Sequence, residues 1–486
     1  MGSEPISRRK FLIASTATGL AAVLAACAPK EATTAPAAEA PTTAPAAEGP
    51  TTAPAAEEPT KQAEAPATTS KPAAGEPYTV RFLSGAGIDY RASFYKVLQE
   101  EFESNHPDIK VQVEPCPEGW EQKILTEMIA GTAPDVFEAW GNIFYNWVER
   151  DLLLDCQPYV DATMTQEEIA DYTEFQWEGL FMRGKRVGMP SYINIVTLTC
   201  NVAAFDEYGV PLPPEDGEWD HDDYREMVGA LTEAARSKGN NSICGGLIPC
   251  WEWYSLWNHI HMFGGKVVDQ KYGKKCLLGE PEAQEGLKWL YDLEFVDNYN
   301  AQPEQVERKG GRQALNAGLI ICNEDGTYPK TFDESAEGGP CEHWDLRHVP
   351  KGPTGIRSTL GTTDAWSIAK QSKNPDAAWT LVRFMSGPVY QAKAVVAEAG
   401  FIPALKSLQV GFIAKMRELR PNMNNVRLET ITEVLDWGYA EDTPWFDKQA
   451  AAVDLIVPAL EKVFMVGDVG PEYFIDIAKQ VDAAQA

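Results

Sequence analysis

Trp120-Glu-Gln-Lys-Ile-Leu-Thr-Glu-Met-Ile-Ala-Gly-Thr-Ala-Pro-Asp-Val-Phe137 decides the fold class of this chain. Ile124, Leu125, Met128 and Ile129 recur three and four residues apart, which predicts a helix with one buried face. Gly131 ends it. Ala133-Pro-Asp-Val-Phe137 is short and apolar, as a parallel strand covered on both faces would be. Upstream, Tyr78–Phe82 and Ile109–Val113 each alternate apolar and polar residues, the pattern of strands. Between them a helix is marked by Phe94, Val97, Leu98 and Phe102 and stopped by His106-Pro107. Strand, helix, strand, helix, strand is the order that builds a parallel sheet with covering helices.

Downstream the rhythm restarts at Ile193–Cys200, after Gly188-Met189-Pro190. Helices are expected around Tyr224–Ala235, around Trp251–Phe263 and from Pro281. Short strands are expected at Leu319–Cys322 and Ala365–Ala369. The second of these leads to a helix with Ala378, Trp379, Val382 and Met385 on its buried face. The class is α/β throughout. The stretch from Glu76 to residue 486 is too long for one core, so at least two lobes are expected.

The first 76 residues read differently. Ser7-Arg8-Arg9-Lys10 precedes an uncharged run from Phe11 to Ala26 that ends Leu24-Ala25-Ala26-Cys27. Those sixteen residues are fewer than the roughly 20 needed to cross a bilayer. Paired arginines before a short apolar run make a twin-arginine export pattern, and small residues leading to a cysteine resemble a bacterial lipobox. Residues 1–26 are therefore expected to be a signal peptide, with lipid on Cys27 holding the protein to the outer face of the cell membrane. Residues 33–59 repeat Thr-Thr-Ala-Pro-Ala-Ala-Glu-x-Pro three times. With no large side chains to bury and regular prolines, residues 27–76 read as a disordered tether reaching at most on the order of 150 Å.

The net charge of −29 argues against a nucleic-acid partner, whose phosphates require Lys and Arg. It also excludes docking on anionic lipid through a basic patch. Setting Cys27 aside leaves eight of nine cysteines, an even number that, in an exported protein, predicts disulfides. No cysteine pair has metal-ligand spacing. His259 and His261 would point to different faces of a helix. No metal and no cofactor is expected. Gly85-Ala-Gly87 falls short of a dinucleotide fingerprint, and no nucleophile elbow occurs, so no catalytic residue is assigned.

Several segments resemble one family, the extracellular solute-binding proteins of ABC importers, in their carbohydrate-binding, maltose-protein-like branch. They are Ala130-Gly-Thr-Ala-Pro-Asp-Val136; Arg186-Val-Gly-Met-Pro190 with Thr199-Cys-Asn201; and Phe205–Pro214 with Trp219. Gly310–Gly318, Ser372-Lys-Asn-Pro-Asp-Ala-Ala-Trp379 and Gly400-Phe-Ile-Pro-Ala404 continue the match in the same order. Two departures stand out: Thr199-Cys200-Asn201, and Cys322-Asn-Glu-Asp-Gly326 in place of a small-residue turn. The resemblance implies two α/β lobes joined by a hinge, with ligand held between them. By analogy the chain crosses near 192, 361 and 400. Lobe 1 would be 77–192 plus 362–400, and lobe 2 would be 193–361 plus 401–486. Each lobe then holds an even number of cysteines, so every disulfide could form within a lobe.

A sugar offers apolar C–H faces and a rim of hydroxyls, so its receptor needs aromatic platforms with carboxylates and amides beside them. All fourteen tryptophans follow the tether. The candidate ligand residues are Trp251 and Trp253, in the densest aromatic cluster; Trp140 and Glu138, after the Pro134–Phe137 strand; and Asp89, after the first strand. Tyr192, Asn194, Asp364 and Trp366 stand at the crossings. Glu324 and Asp325 lie in the altered turn, Trp437 and Trp445 in the C-terminal segment, and Trp120 opens a helix. Trp257, Trp289 and Trp379 read as core. The expected function is a monomeric, membrane-anchored receptor that captures a sugar or oligosaccharide and hands it to an ABC permease. The same fold with a polyamine, phosphate ester or peptide as cargo is the first alternative. A secreted glycoside hydrolase, which would need two carboxylates about 5–10 Å apart, is the second.

Overall fold

The computed structural model describes residues 77–84, 92–115, 120–139, 142–250, 253–307, 309–441 and 445–486. The expected signal peptide, Cys27, the expected tether, Asp89, Cys116, Trp140 and Trp251 lie outside these residues. None of the described helices is long and apolar enough to cross a membrane.

Apart from a two-residue hairpin, Phe181–Met182 with Lys185–Arg186, the strands in chain order are β1 (Tyr78–Ser84), β2 (Ile109–Pro115), β3 (Val136–Ala139), β4 (Met189–Pro190), β5 (Tyr192–Ile193), β6 (Val196–Asn201) and β7 (Cys244–Leu247). They continue as β8 (Ile320–Gly326), β9 (Trp344–Arg347), β10 (Thr359–Leu360), β11 (Ala365–Ile368), β12 (Ile402–Pro403) and β13 (Ala440–Glu441). The longer strands make two sheets, one in each of two lobes.

The first-lobe sheet has the order β2-β1-β3-β11-β4. β1 runs parallel to β2, from Tyr78↔Ile109 to Ser84↔Pro115, and parallel to β3 at Phe82↔Val136. β11 returns antiparallel, with Trp366 opposite Glu138. Residues alternate across β1: Val80 and Phe82 enter one core with Trp366, Trp379 and Val382, while Leu83 enters another with Ile124, Phe137 and Trp147. Both faces of the sheet are covered, which is why its strands are so apolar. α1 (Trp120–Ala130) supplies one cover, followed by α2 (Asn142–Glu149). α3 (Glu174–Gly179) is short but firmly held. The Arg186 guanidinium stacks 3.5 Å over the Trp177 ring and donates to the Trp177 carbonyl at 3.0 Å. Burial lowers its pKa to about 10.

The second-lobe sheet has the order β9-β6-β8-β7. β8 is parallel to β7 and antiparallel to β6. Helix α4 (His221–Ser237) starts at a capping box, Asp220 and Asp223 satisfying each other's backbone N–H groups. It lies directly on β7: a Cβ on Gly245 would sit 2.1 Å from the Val228 carbonyl oxygen, so only glycine permits that approach. α5 (Trp253–Met262) and α6 (Gln449–Leu460) complete this layer. Trp257, Trp289 and Phe464 are buried in its core, as is Trp379 in the first lobe.

Two expectations need correction. Cys322–Gly326 is not a turn but the second half of β8, fully paired to β6 from Cys322↔Cys200 to Gly326↔Val196. Disulfides are absent among the described residues: Cys156, Cys200, Cys244, Cys250, Cys276, Cys322 and Cys341 are all free and buried. They serve as small apolar core residues. The Cys322 thiol donates to the Gly245 carbonyl at 3.2 Å, and that of Cys250 to the Ile248 carbonyl at 3.2 Å. Burial pushes the Cys156 thiol up to about 12.

Candidate functional site

Three segments run between the lobes. Residues 191–195 join β4 to β6, residues 361–364 join β10 to β11, and β12 pairs antiparallel with β5. The first two also pair with each other: Thr362 N–H donates to the Asn194 carbonyl at 2.8 Å, and Ile195 bridges Gly361. Open α/β sheets hold ligands at such strand ends.

Five expected residues gather here. Glu138, one residue from the end of β3, is fully buried and accepts a short hydrogen bond from the Tyr192 hydroxyl. Asp364 Oδ2 accepts from Thr362 Oγ1 at 2.5 Å. Asn194 lies against β8, where a Cβ on Gly326 would come within 2.7 Å of its Nδ2; its own Oδ1 is buried with no hydrogen-bond partner. Asp325 accepts the Gly326 N–H at 2.6 Å. This belt of carboxylates, amide and phenol is what hydroxyl groups require of a receptor.

Other expected residues are placed elsewhere. Successive β8 side chains alternate between faces, so Glu324 turns with Cys322 into the second-lobe interior. There its Oε2 lies 3.1 Å from His259 Nε2, and His259 Nδ1 lies 3.2 Å from His221 Nε2. His221 stacks on Trp289 with ring centroids 4.2 Å apart. Burial, then the neighbouring His259, holds His221 well below the usual imidazole range. Trp366 is fully buried, edge-on to Phe82 at 5.7 Å and to Tyr192 at 6.5 Å. That makes it a wall behind Tyr192 within the first-lobe core. Trp445 is packed into the first-lobe cluster with Tyr145 and Trp147. Trp437 is 46% exposed and stacks on His348 at 4.2 Å, on the second lobe. Trp120 and Trp253 open α1 and α5, and their side chains lie outside the described set.

Beside the crossings, a cavity of about 390 Å³ separates Phe175 and Glu178 of α3 from Trp257 and Val267 of the second lobe, with Trp445 at its margin. Neither Phe175 nor Glu178 carried a signal in the sequence. Two buried glutamines that grip the crossings, Gln176 and Gln391, were equally silent; a lone Gln in a helix has no pattern to give it away.

Two α/β lobes linked by three strand-like segments, with buried polar groups where they cross, define a two-lobed binding protein. The family model of bacterial extracellular solute-binding proteins matches residues 85–392, and the chain belongs to that family. A protein of Brucella abortus (strain 2308) carrying the name of a binding protein is 26% identical over 412 residues, covering 80% of this chain and 89% of its own. Among solved structures, an ABC substrate-binding protein of Listeria monocytogenes in complex with cycloalternan superposes with a TM-score of 0.72 at 20% identity, covering 84% of this chain and 99% of the other. The sugar-binding protein MalE of Xanthomonas citri gives 0.65 at 19% identity over 84% and 97%. UgpB of Mycobacterium tuberculosis in complex with glycerophosphocholine gives 0.68 at 15% identity over 84% and 98%.

Proposed function

We propose that this protein is a membrane-anchored extracytoplasmic receptor that takes a sugar or oligosaccharide between its lobes and delivers it to an ABC permease. The observation that carries the reading is the buried polar belt at the crossings, Glu138–Tyr192 with Asn194 and Asp364, framed by lobes of this family's fold. Trp251, Trp253, Trp140 and Asp89 are the residues we assign to complete the ligand surface, and lipid on Cys27 holds the receptor at the membrane. Capture works by closure: ligand bridging both lobes shifts an open–closed equilibrium by its differential affinity for the closed state. No bond in the ligand is broken. The cycloalternan complex and the sugar-binding protein among the structural neighbours favour carbohydrate, while the glycerophosphocholine complex keeps a phosphate ester as the second reading.

Thermal unfolding against a panel of mono- and oligosaccharides, glycerophosphodiesters, polyamines and peptides tests this. A ligand at a hundred times its Kd adds about 2.7 kcal/mol of stability. A sugar that raises the melting temperature supports the reading. A shift from a non-sugar alone refutes carbohydrate, and release of reducing ends from an oligosaccharide refutes a pure receptor.

A further inference from the structure

Both lobes grip the crossing segments, and the grips do not meet. From the first lobe, Gln176 of α3 donates through Nε2 to the carbonyls of Tyr192 at 2.6 Å and Asp364 at 3.0 Å, so one side chain fastens two crossings. Gln391, in the π-wound helix Gln391–Ala399, donates through Nε2 to the Ser191 carbonyl, and its Oε1 accepts the Ala404 N–H at 2.9 Å. It fastens the first crossing to the third. Both glutamines are fully buried. From the second lobe, Thr327 N–H donates to the Ile195 carbonyl at 2.8 Å, and Thr359 Oγ1 to the Val196 carbonyl at 2.8 Å.

We propose that Gln176 and Gln391 are hinge-positioning residues that lock the crossings to the first lobe, confining the bend of closure to Ile193–Asn194 and Gly361–Thr362. This rests on the reading that capture proceeds by lobe closure. These are the residues left between the two sets of grips. The Thr362–Asn194 bond and the Ile195–Gly361 bridge make the two short segments bend as one. The first lobe packs against Gly361: a Cβ there would meet the Phe175 ring at 2.8 Å. The Asp364 carbonyl also accepts the Ser191 N–H at 3.0 Å and keeps that bond without Gln176, so loss of either glutamine should be felt at the Ser191 and Tyr192 carbonyls and free the first crossing.

Hydrogen exchange measured on the unliganded full chain decides this. In Gln176→Met and Gln391→Met, which keep length and apolar bulk, exchange in peptides covering 189–195 should quicken about five- to tenfold, the factor for one buried hydrogen bond. The helices that carry the glutamines should keep wild-type rates. Gln391→Met loses both the donor to Ser191 and the acceptor for Ala404, so 401–405 should quicken together with 189–195. Unchanged exchange at the crossings overturns the proposal. So does a rise spread evenly through the first lobe, which would make the glutamines ordinary packing residues. Because no ligand is present, failure of the carbohydrate reading leaves this result standing, and failure here leaves the thermal-shift test untouched.

Discussion

Tyr145 of the first lobe and Trp445, just ahead of α6 in the second, meet edge to face with ring centroids 5.2 Å apart. The contact is reinforced on either side. Gln449 N–H donates to Glu149 Oε1 at 2.6 Å, and Arg183 lies 3.3 Å from Asp447. Burial, then Glu121 and Glu149, pushes the Tyr145 phenol up to about 12, so the ring stays neutral and apolar at any ordinary pH.

Trp445→Ala should cost about 3 kcal/mol, the low end for emptying a buried aromatic site. Trp445→Phe, which keeps an edge for Tyr145, should cost less than half as much. Urea unfolding measures both. An alanine variant as stable as the parent would show that this contact is formed only at solvent expense.

Stability should fall as the medium is acidified from about pH 6.5 towards pH 4. Burial holds His348 at about 4 despite its hydrogen bond to Glu433. Between those values the unfolded chain binds a proton that the folded chain does not, so acid favours unfolding. His348→Gln should flatten the slope of melting temperature against pH in that window. NMR titration of the ring locates the midpoint directly, and a value near 6.5 would refute the assignment.

The described thiols should be silent to an aromatic disulfide reagent in the native protein and all seven should react in denaturant, since each is buried and burial disfavours the thiolate. Dithiothreitol should leave the melting temperature unchanged. A drop on reduction would reveal a bond among them.

Cys27→Ser should release the protein from membranes into the soluble fraction. A serine variant that still sediments with membranes would refute lipid anchoring through this residue.

Much of the first lobe could be read from side-chain periodicity, because Ile124, Met128, Val136 and Phe137 are buried as their spacing predicts; Ile129, expected on the same helix face, is instead 62% exposed. β7 escaped notice because Cys244-Gly-Gly-Leu247 is shaped by the helix above it, and glycine pairs look like turns in isolation. The site was legible only in part. Its acidic and amide members stand beside strand ends, which are visible as ends. Glu138 and Tyr192 are 54 residues apart, and nothing local announces that one hydroxyl will reach the other. Glu324 and Trp366 show the converse. Their residue types suit a ligand surface, but strand parity and sheet neighbours turned both inward.

Because none of the described cysteines is joined to another, this part of the fold closes without an oxidant. A reducing cytoplasm is then no obstacle to finishing it. The twin-arginine export expected from Arg8-Arg9 would then meet no conflict between folding first and crossing the membrane afterwards.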